Sequence, residues 1–98
     1  MTITKKQNGT SLEICLGGRL DTTTAPELEA ALTPALPGVT DLTLNLADLV
    51  YISSAGLRVL LSAQKRMNKQ GEMKVTNVNA EIMEIFEVTG FSDILNIE

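Results

Sequence analysis

Two stretches of the chain alternate between apolar residues and mostly polar ones, and this pattern predicts half-buried β-strands. The first strand covers residues 11–20, with the alternation at Leu12, Ile14 and Leu16, and the second is centred on 42–46 with its end near Leu46. A weaker strand candidate at 2–6 precedes the first across Asn8-Gly9, a dipeptide typical of hairpin turns. Because a strand covered on both faces is apolar throughout, the alternation places the helices mainly on one face of the sheet.

Three other stretches place apolar residues three and four positions apart, which is the spacing of an amphipathic helix. They cover 24–33, 55–70 and a third segment that begins after Asn79 and stops at Gly90. A short strand at 73–76 separates the last two helices. The inward-facing residues predicted for the three helices are Ala25, Leu28, Ala31 and Leu32; Leu57, Leu60, Leu61 and Met67; and Ile82, Ile85 and Phe86.

Local signals at the ends of these elements support the assignment. Thr24 and Glu27 have the spacing of a capping box, and Pro34 is expected to end or kink the first helix. Gly71 fits the C-terminal cap of the second helix. Gly17-Gly18 predicts a bulge or a close backbone approach within the second strand.

The order of elements is therefore β-β-α-β-α-β-α, with a helical turn at 92–95 and an extended stretch at 96–98. The opening hairpin is antiparallel, whereas the two helical crossovers require parallel strands. The prediction is one α/β domain over residues 1–98. It has a mixed sheet of four to five strands and three to four helices mainly on one face.

Composition and charge narrow the possible partners. The chain has 98 residues, a net charge of −4 and an apolar content of 44% that is almost all aliphatic. The negative charge and the few aromatic residues argue against nucleic acid. A single cysteine, Cys15, suits a reducing cytoplasm, and we expect it to be a small buried apolar residue. No secretion signal or bilayer-spanning run is present, so a cytoplasmic location is expected.

The residues needed for most catalytic or cofactor sites are missing. The chain has no histidine, so neither a Ser-His nor a Cys-His pair can form. No group of residues has metal-ligand spacing. Neither the phosphate-binding loop GxxxxGK(S/T) nor the dinucleotide-binding motif GxGxxG occurs. We therefore expect no enzyme activity, no metal and no cofactor.

The segment 49–58 carries the most unusual chemistry. Ser53 and Ser54 stand where the chain leaves a strand and enters the second helix, so either one is a candidate N-cap. If the strands ending at Leu20 and near Leu46 are neighbours, Asp21 emerges on the same rim as these serines. A phosphoryl group at this position would meet the positive end of the helix and add negative charge beside Asp21.

Two motifs in these positions resemble the STAS family, in particular its stand-alone anti-sigma factor antagonists. They are Gly18-Arg19-Leu20-Asp21 before the first helix and Tyr51-Ile52-Ser53-Ser54-Ala55-Gly56-Leu57 before the second. The resemblance implies a bacterial partner-switching protein that binds an anti-sigma factor and thereby frees a sigma factor. It also implies that the anti-sigma factor is a serine kinase of the GHKL class. This kinase phosphorylates the serine loop, and a serine phosphatase reverses the step.

The resemblance assigns roles to individual residues. Family members often carry Asp-Ser-Ser/Thr-Gly-Leu, so Ser54 matches the first hydroxyl residue and is the expected phosphoacceptor, with Ser53 as the alternative. Ser53 replaces the family's aspartate, and Ala55 replaces its second hydroxyl residue. The expected partner-binding residues are Asp21, Thr22, Ser53, Ser54, Ala55, Gly56, Leu57, Arg58 and Ser62. We expect a monomer.

Two alternatives remain open from the sequence. The first is a STAS module that is never phosphorylated, acting as a scaffold or as an accessory subunit of a membrane transporter. The second is a small-molecule receptor that binds a nucleotide phosphate at the same helix start. Arg58, Ser62, Lys65 and Lys69 share one face of the second helix, which is either a docking face for an acidic partner or a solvated face.

Overall fold

Four strands form one mixed sheet in the order in which they follow along the chain. The computed structural model describes residues 1–98. The strands are β1 (Thr2–Asn8), β2 (Ser11–Leu20), β3 (Asp41–Ile52) and β4 (Glu72–Thr76). The helices are α1 (Ala25–Ala35), α2 (Ser54–Gln70) and α3 (Ala80–Thr89), followed by a 3-10 turn at Phe91–Asp93.

The strand directions agree with the sequence prediction. β1 pairs with β2 in antiparallel orientation, and β2–β3 and β3–β4 are parallel. The last residues lie along the free edge of β4, where Ile97 pairs with Val75 in parallel. Val75 N–H donates to the Asn96 carbonyl at 2.9 Å, and Glu98 N–H donates to the Val75 carbonyl at 2.9 Å. This short addition accounts for the predicted range of four to five strands.

The core lies between the sheet and the helices on one face. The sheet residues that point into it are all buried: Leu12, Ile14, Leu16, Leu42, Leu44, Leu46, Met73 and Val75. The residues that alternate with them, such as Glu13 and Thr43, are only half-buried on the face without helices. Cys15 lies on this second face and is half-buried, so the expectation of a buried apolar cysteine was wrong.

The helices bury narrower stripes than predicted. Ala31, Leu61 and Ile85 are half-buried instead of buried, because each lies at the margin of the stripe that meets the sheet. The centre of each stripe is fully enclosed, with Leu28, Leu60 and Phe86 all at 0% exposure. Pro34 lies inside α1, which ends one residue later, close to the predicted end.

The third strand is six residues longer than its predicted end near Leu46. It reaches Ile52 because its pairing with β2 shifts register twice, between Cys15 and Gly17 and again between Gly18 and Arg19. The two glycines allow these shifts: a Cβ on Gly17 would lie 2.5 Å from Thr2 Oγ1, and Gly18 has a φ of +88°. Thus residues 49–52, which lie beyond the predicted strand end, continue the strand.

Asn79 fixes the start of α3 and ties it to the sheet. Its Oδ1 accepts from Ile82 N–H at 2.9 Å, as an N-cap does, and its Nδ2 donates to the Leu49 carbonyl at 2.9 Å. We expect Asn79→Ala to lower the free energy of unfolding by about 1–2 kcal/mol, because both bonds are lost. Urea unfolding measures this, with Asn96→Ala as the control, since the Asn96 side chain makes no hydrogen bond. Equal losses in the two variants would contradict this role.

Candidate functional site

The ends of β2 and β3 lie side by side and form the rim that the sequence predicted. Leu20 is paired with Ile52, and Ser53 N–H donates to the Leu20 carbonyl at 2.9 Å. Asp21 and Ser53 therefore follow directly from adjacent strand ends. The predicted neighbourhood of Asp21 and the two serines is confirmed.

The start of α2 offers several free hydrogen-bond donors. Ser53 occupies the N-cap position in extended conformation, and its carbonyl accepts from Leu57 N–H at 3.0 Å. Its side chain makes no capping bond, and Ser53 Oγ is buried without a partner. The first N–H groups of the helix, from Ser54 to Gly56, have no partner inside the helix. Of the two N-cap candidates, Ser53 occupies the position, but the expected side-chain cap is absent.

Tight packing holds this helix start in place. A Cβ on Gly56 would lie 2.7 Å from Leu20 Cγ and 2.9 Å from Ile52 Cγ1, so only glycine lets the first turn approach the strand ends this closely. Leu57 is also buried. Gly56 and Leu57, expected among the partner-binding residues, thus face the interior and position α2. Ser54, between Ser53 and these residues, is exposed to solvent.

The Asp21 carboxylate is held by the turn that precedes α1. Its Oδ1 accepts from the Thr23 hydroxyl at 2.7 Å, from Thr23 N–H at 3.0 Å and from Thr24 N–H at 3.2 Å. The hydrogen bond from the Thr23 hydroxyl is the largest cause that lowers the pKa of Asp21 from 3.8 to about 2, against the opposing effect of desolvation. Asp21 therefore carries its negative charge at every physiological pH.

The same turn corrects the predicted capping box of Thr24 and Glu27. Thr24 Oγ1 accepts from Asp21 N–H at 2.8 Å and donates to the Arg19 carbonyl at 2.8 Å, so it does not cap α1. The Asp21 carboxylate takes the N–H groups that a capping residue would bind. The spacing of Thr24 and Glu27 is correct for a capping box. In the structure, however, Asp21, three positions before Thr24, binds these N–H groups in its place.

The lowered pKa of Asp21 predicts a pH dependence of stability. A carboxyl whose pKa is lower in the folded state stabilises the fold when ionised, so this contribution is present above about pH 4 and is lost as pH falls towards about 2. Urea unfolding at several pH values is expected to show this loss in the wild type and a smaller loss in Asp21→Asn. Asp48→Asn, which removes an exposed carboxylate of β3, is the control and is expected to follow the wild type. An unchanged pH profile in Asp21→Asn would contradict the assignment.

Arg19 completes the rim on the other side of Asp21. Its guanidinium Nε lies 3.6 Å from Asp21 Oδ2, and it stacks 4.2 Å from the centre of the Tyr51 ring. Arg19 and Tyr51 are direct partners across β2 and β3. Because the Arg19 side chain is 61% exposed, the ion pair adds little stability, but it orients the rim. This role of Arg19 was not predicted, although its position two residues before Asp21 places both side chains on one side of the strand.

A shallow depression between α1 and α2 extends the rim. Four of the expected partner-binding residues line it, namely Thr22, Ala55, Arg58 and Ser62. The opposite wall is formed by Ala25, Pro26 and Glu29 of α1. Val59 of α2 also lines the depression. The α1 wall was not predicted, because the sequence indicates α1 only as a crossover helix. Farther along α2, Lys65 and Lys69 are exposed on the same side as Arg58, as predicted.

Two kinds of site are not found in the structure. No group of three or more cysteine, histidine, aspartate or glutamate side chains is arranged to hold a metal ion. None of the helices combines the length and the apolar character needed to cross a membrane.

Comparison with known proteins identifies the family of the chain. The model of the STAS domain family matches residues 2–98. The anti-sigma-B factor antagonist of Bacillus subtilis is 33% identical over 93 residues, which cover 94% of this chain and 85% of that protein. The corresponding antagonist of Staphylococcus aureus is 36% identical over 87 residues, covering 87% of this chain and 81% of that protein.

Among solved structures, the fold matches the Bacillus cell fate determinant SpoIIAA in its phosphorylated form. The TM-score is 0.77 at 18% identity, with 99% of this chain and 91% of that chain covered. The order of strands and helices, the match over nearly all residues and the two relatives agree with one another. The chain belongs to the STAS domain family.

Proposed function

We propose that this protein is an anti-sigma factor antagonist whose binding is switched off by phosphorylation of Ser54. The observation that carries the proposal is the exposed Ser54 hydroxyl at the first position of α2, on a rim that continues into the depression between α1 and α2. The names of the Bacillus and Staphylococcus relatives support the partner class. In its unmodified form the protein binds an anti-sigma factor and releases a sigma factor.

The accessibility of the two serines favours Ser54 as the acceptor. Ser53 Oγ is buried, so a kinase would have to open the start of α2 to reach it. Ser54 is exposed one residue later and needs no such movement. The fold neighbour SpoIIAA, solved in a phosphorylated form, supports a modification of this kind.

The helix start tolerates a phosphate while the rim becomes much more negative. The free N–H groups and the positive end of α2 favour a bound anion, so the phosphorylated domain stays folded. A phosphoserine adds a charge of about −1.5 to −2 near the ionised Asp21. A partner surface that fits the unmodified rim must then bury this added charge or repel it. The anti-sigma factor is proposed to be the GHKL-class kinase itself, and a serine phosphatase restores the unmodified form.

The proposal is tested by incubating the protein with its anti-sigma kinase and ATP, followed by peptide mass spectrometry. We expect one phosphate on Ser54 in the wild type and in Ser53→Ala, and none in Ser54→Ala. The two alanine variants are matched controls, because they remove the same group from adjacent positions. Phosphate on Ser53 alone would contradict the choice of acceptor.

A second candidate is a STAS module that binds its partner without ever being phosphorylated. Two residues favour it: Ala55 stands where family members often carry a second hydroxyl, and Ser53 stands in the place of their aspartate. Under this alternative no phosphate forms in any variant, yet the rim still binds a partner. In both cases we propose a cytoplasmic monomer with one domain over residues 1–98.

A further inference from the structure

The outward face of α3 carries an apolar centre that no other part of the chain covers. Val88 is 80% exposed, and Ile94 just beyond the helix is 46% exposed. Ile85 is half-buried beside Val88, and Glu81 and Glu84 complete a shallow groove along the helix. Glu81, Glu84, Ile85 and Val88 have the spacing i, i+3, i+4 and i+7, so they form one continuous stripe along the helix. We call Glu81, Glu84, Ile85 and Val88 the α3 patch.

The charge around the α3 patch is negative and uncompensated. Glu81, Glu84, Glu87 and Asp93 form no ion pair, since the structure's one ion pair joins Arg19 to Asp21. The last turn of α3 has no basic residue to balance the negative end of the helix. With 12 acidic and 8 basic side chains in the chain, these four carboxylates equal the entire net charge of −4.

The α3 patch is separate from the Ser54 rim. α3 begins beside the end of β3, where Asn79 binds the Leu49 carbonyl, and then runs back along the sheet. The residues after α3 show this direction. Ile97 pairs in parallel with Val75, so the chain must have returned to the opposite end of β4 before it reaches Ile97. At 1.5 Å per residue, Val88 lies about 12 Å along the helix from its start. Val88 therefore lies about two helical turns away from the end of the sheet that carries the rim.

We propose that the α3 patch binds a basic amphipathic helix of a second protein. The exposed Val88 and the half-buried Ile85 beside it, flanked by carboxylates, match a short helix whose apolar face covers these two side chains and whose Lys or Arg residues lie beside that face. A nucleic acid or an anionic membrane is repelled by the same carboxylates.

A second copy of this chain does not meet these requirements. Its basic helix face consists of Arg58, Ser62, Lys65 and Lys69, which are all exposed and include no apolar residue. Such a face would pair with the charges of the α3 patch but would leave Val88 without an apolar partner. The occupant is therefore a different protein.

The test uses two synthetic peptides of identical Leu, Lys and Ala composition. In one peptide Leu recurs at i, i+3, i+4 and i+7, and in the other the order is shuffled. Titration at 0.15 M salt is expected to show binding of the patterned peptide at least about tenfold tighter than that of the shuffled one, the effect of burying one aliphatic side chain. Equal affinities would overturn the proposal, because they would indicate general charge attraction.

Matched variants locate the binding. Val88→Ser is expected to weaken the patterned peptide about tenfold, whereas Val50→Ser, at a valine of β3 that is 60% exposed, leaves it unchanged. Replacing Glu84 and Glu87 by Gln is expected to weaken it about fivefold, from two exposed charge pairs. The same change at Glu27 of α1 and Glu72 of β4, both exposed, is expected to have no such effect.

Two further results would overturn the proposal. One is an equal loss of affinity in the patch variants and in their controls. The other is self-association of the wild type in sedimentation that Val88→Ser abolishes, which would make a second copy the occupant. Circular dichroism of each variant confirms that it is folded. Since no kinase or anti-sigma factor is used, these results are independent of the proposed function.

Discussion

Replacing Ser54 with aspartate is expected to weaken binding to the anti-sigma factor at least about 100-fold while the domain stays folded. A charge left without a partner in a protein interface costs about 2–5 kcal/mol or more, and about 2.7 kcal/mol corresponds to 100-fold. The same carboxylate is favourable at the first turn of a helix, where it meets the free N–H groups. Thermal unfolding is therefore expected to show an unchanged or slightly higher Tm. Calorimetric titration with the anti-sigma factor measures the affinity.

Two controls separate the charge from the loss of the hydroxyl. Ser54→Ala removes the hydroxyl without adding charge and is expected to bind within about threefold of the wild type, as for a neutral surface change. Ser11→Asp adds the same charge at an exposed serine at the opposite end of β2 and is expected to bind normally. Equal weakening by Ser11→Asp would mean that net charge, and not the rim, governs binding.

Replacing Gly71 with alanine is expected to lower the free energy of unfolding by about 3 kcal/mol. A Cβ at this position would lie 2.0 Å from the Thr40 carbonyl oxygen and 2.6 Å from the Thr40 carbonyl carbon, both of which are backbone atoms. That oxygen also accepts from Glu72 N–H at 2.8 Å at the start of β4, and Gln70 Nε2 binds the Val39 carbonyl at 2.6 Å. Neither the segment at Thr40 nor the end of α2 can move away without losing one of these hydrogen bonds.

Gly9→Ala is the matched control for this substitution. Gly9 has a φ of +64°, but nothing lies within 4 Å of a Cβ built there. Its cost is therefore only that of the left-handed backbone, about 1 kcal/mol. Urea unfolding of the two variants compares a steric clash with a conformational cost. If Gly71→Ala were no less stable than Gly9→Ala, the close packing between the end of α2 and Thr40 would be wrong.

The sequence predicts the order of elements because each periodic stretch matches one element. The alternation at Leu42, Leu44 and Leu46 and the helical stripe through Leu57 and Leu60 reflect burial on one face. The end of β3 was not predictable in the same way. Ala47 and Asp48 interrupt the alternation, and only the pairing with the bulged β2 carries the strand on to Ile52. Register shifts depend on two strands at once, so one strand's pattern does not reveal them.

The rim was predictable in position but not in detail. The place of Ser53 and Ser54 at a helix start follows from local sequence, and the closeness of Asp21 follows from the parallel crossover. Which serine is exposed depends on how α2 packs against Leu20 and Ile52, and that is a tertiary property. The same is true of the hydrogen bonds that lower the pKa of Asp21, which come from a turn whose threonines also resemble a capping signal.

The most direct test of the account is the affinity of the protein for its anti-sigma factor with phosphoserine placed at position 54 by genetic incorporation. The phosphorylated protein needs no kinase, so the effect of the phosphate on binding is measured by itself. We predict binding at least about 100-fold weaker than that of the unmodified protein, at an unchanged circular dichroism spectrum. Equal affinity of the two folded forms would contradict the claim that a charge on Ser54 decides whether the partner stays bound.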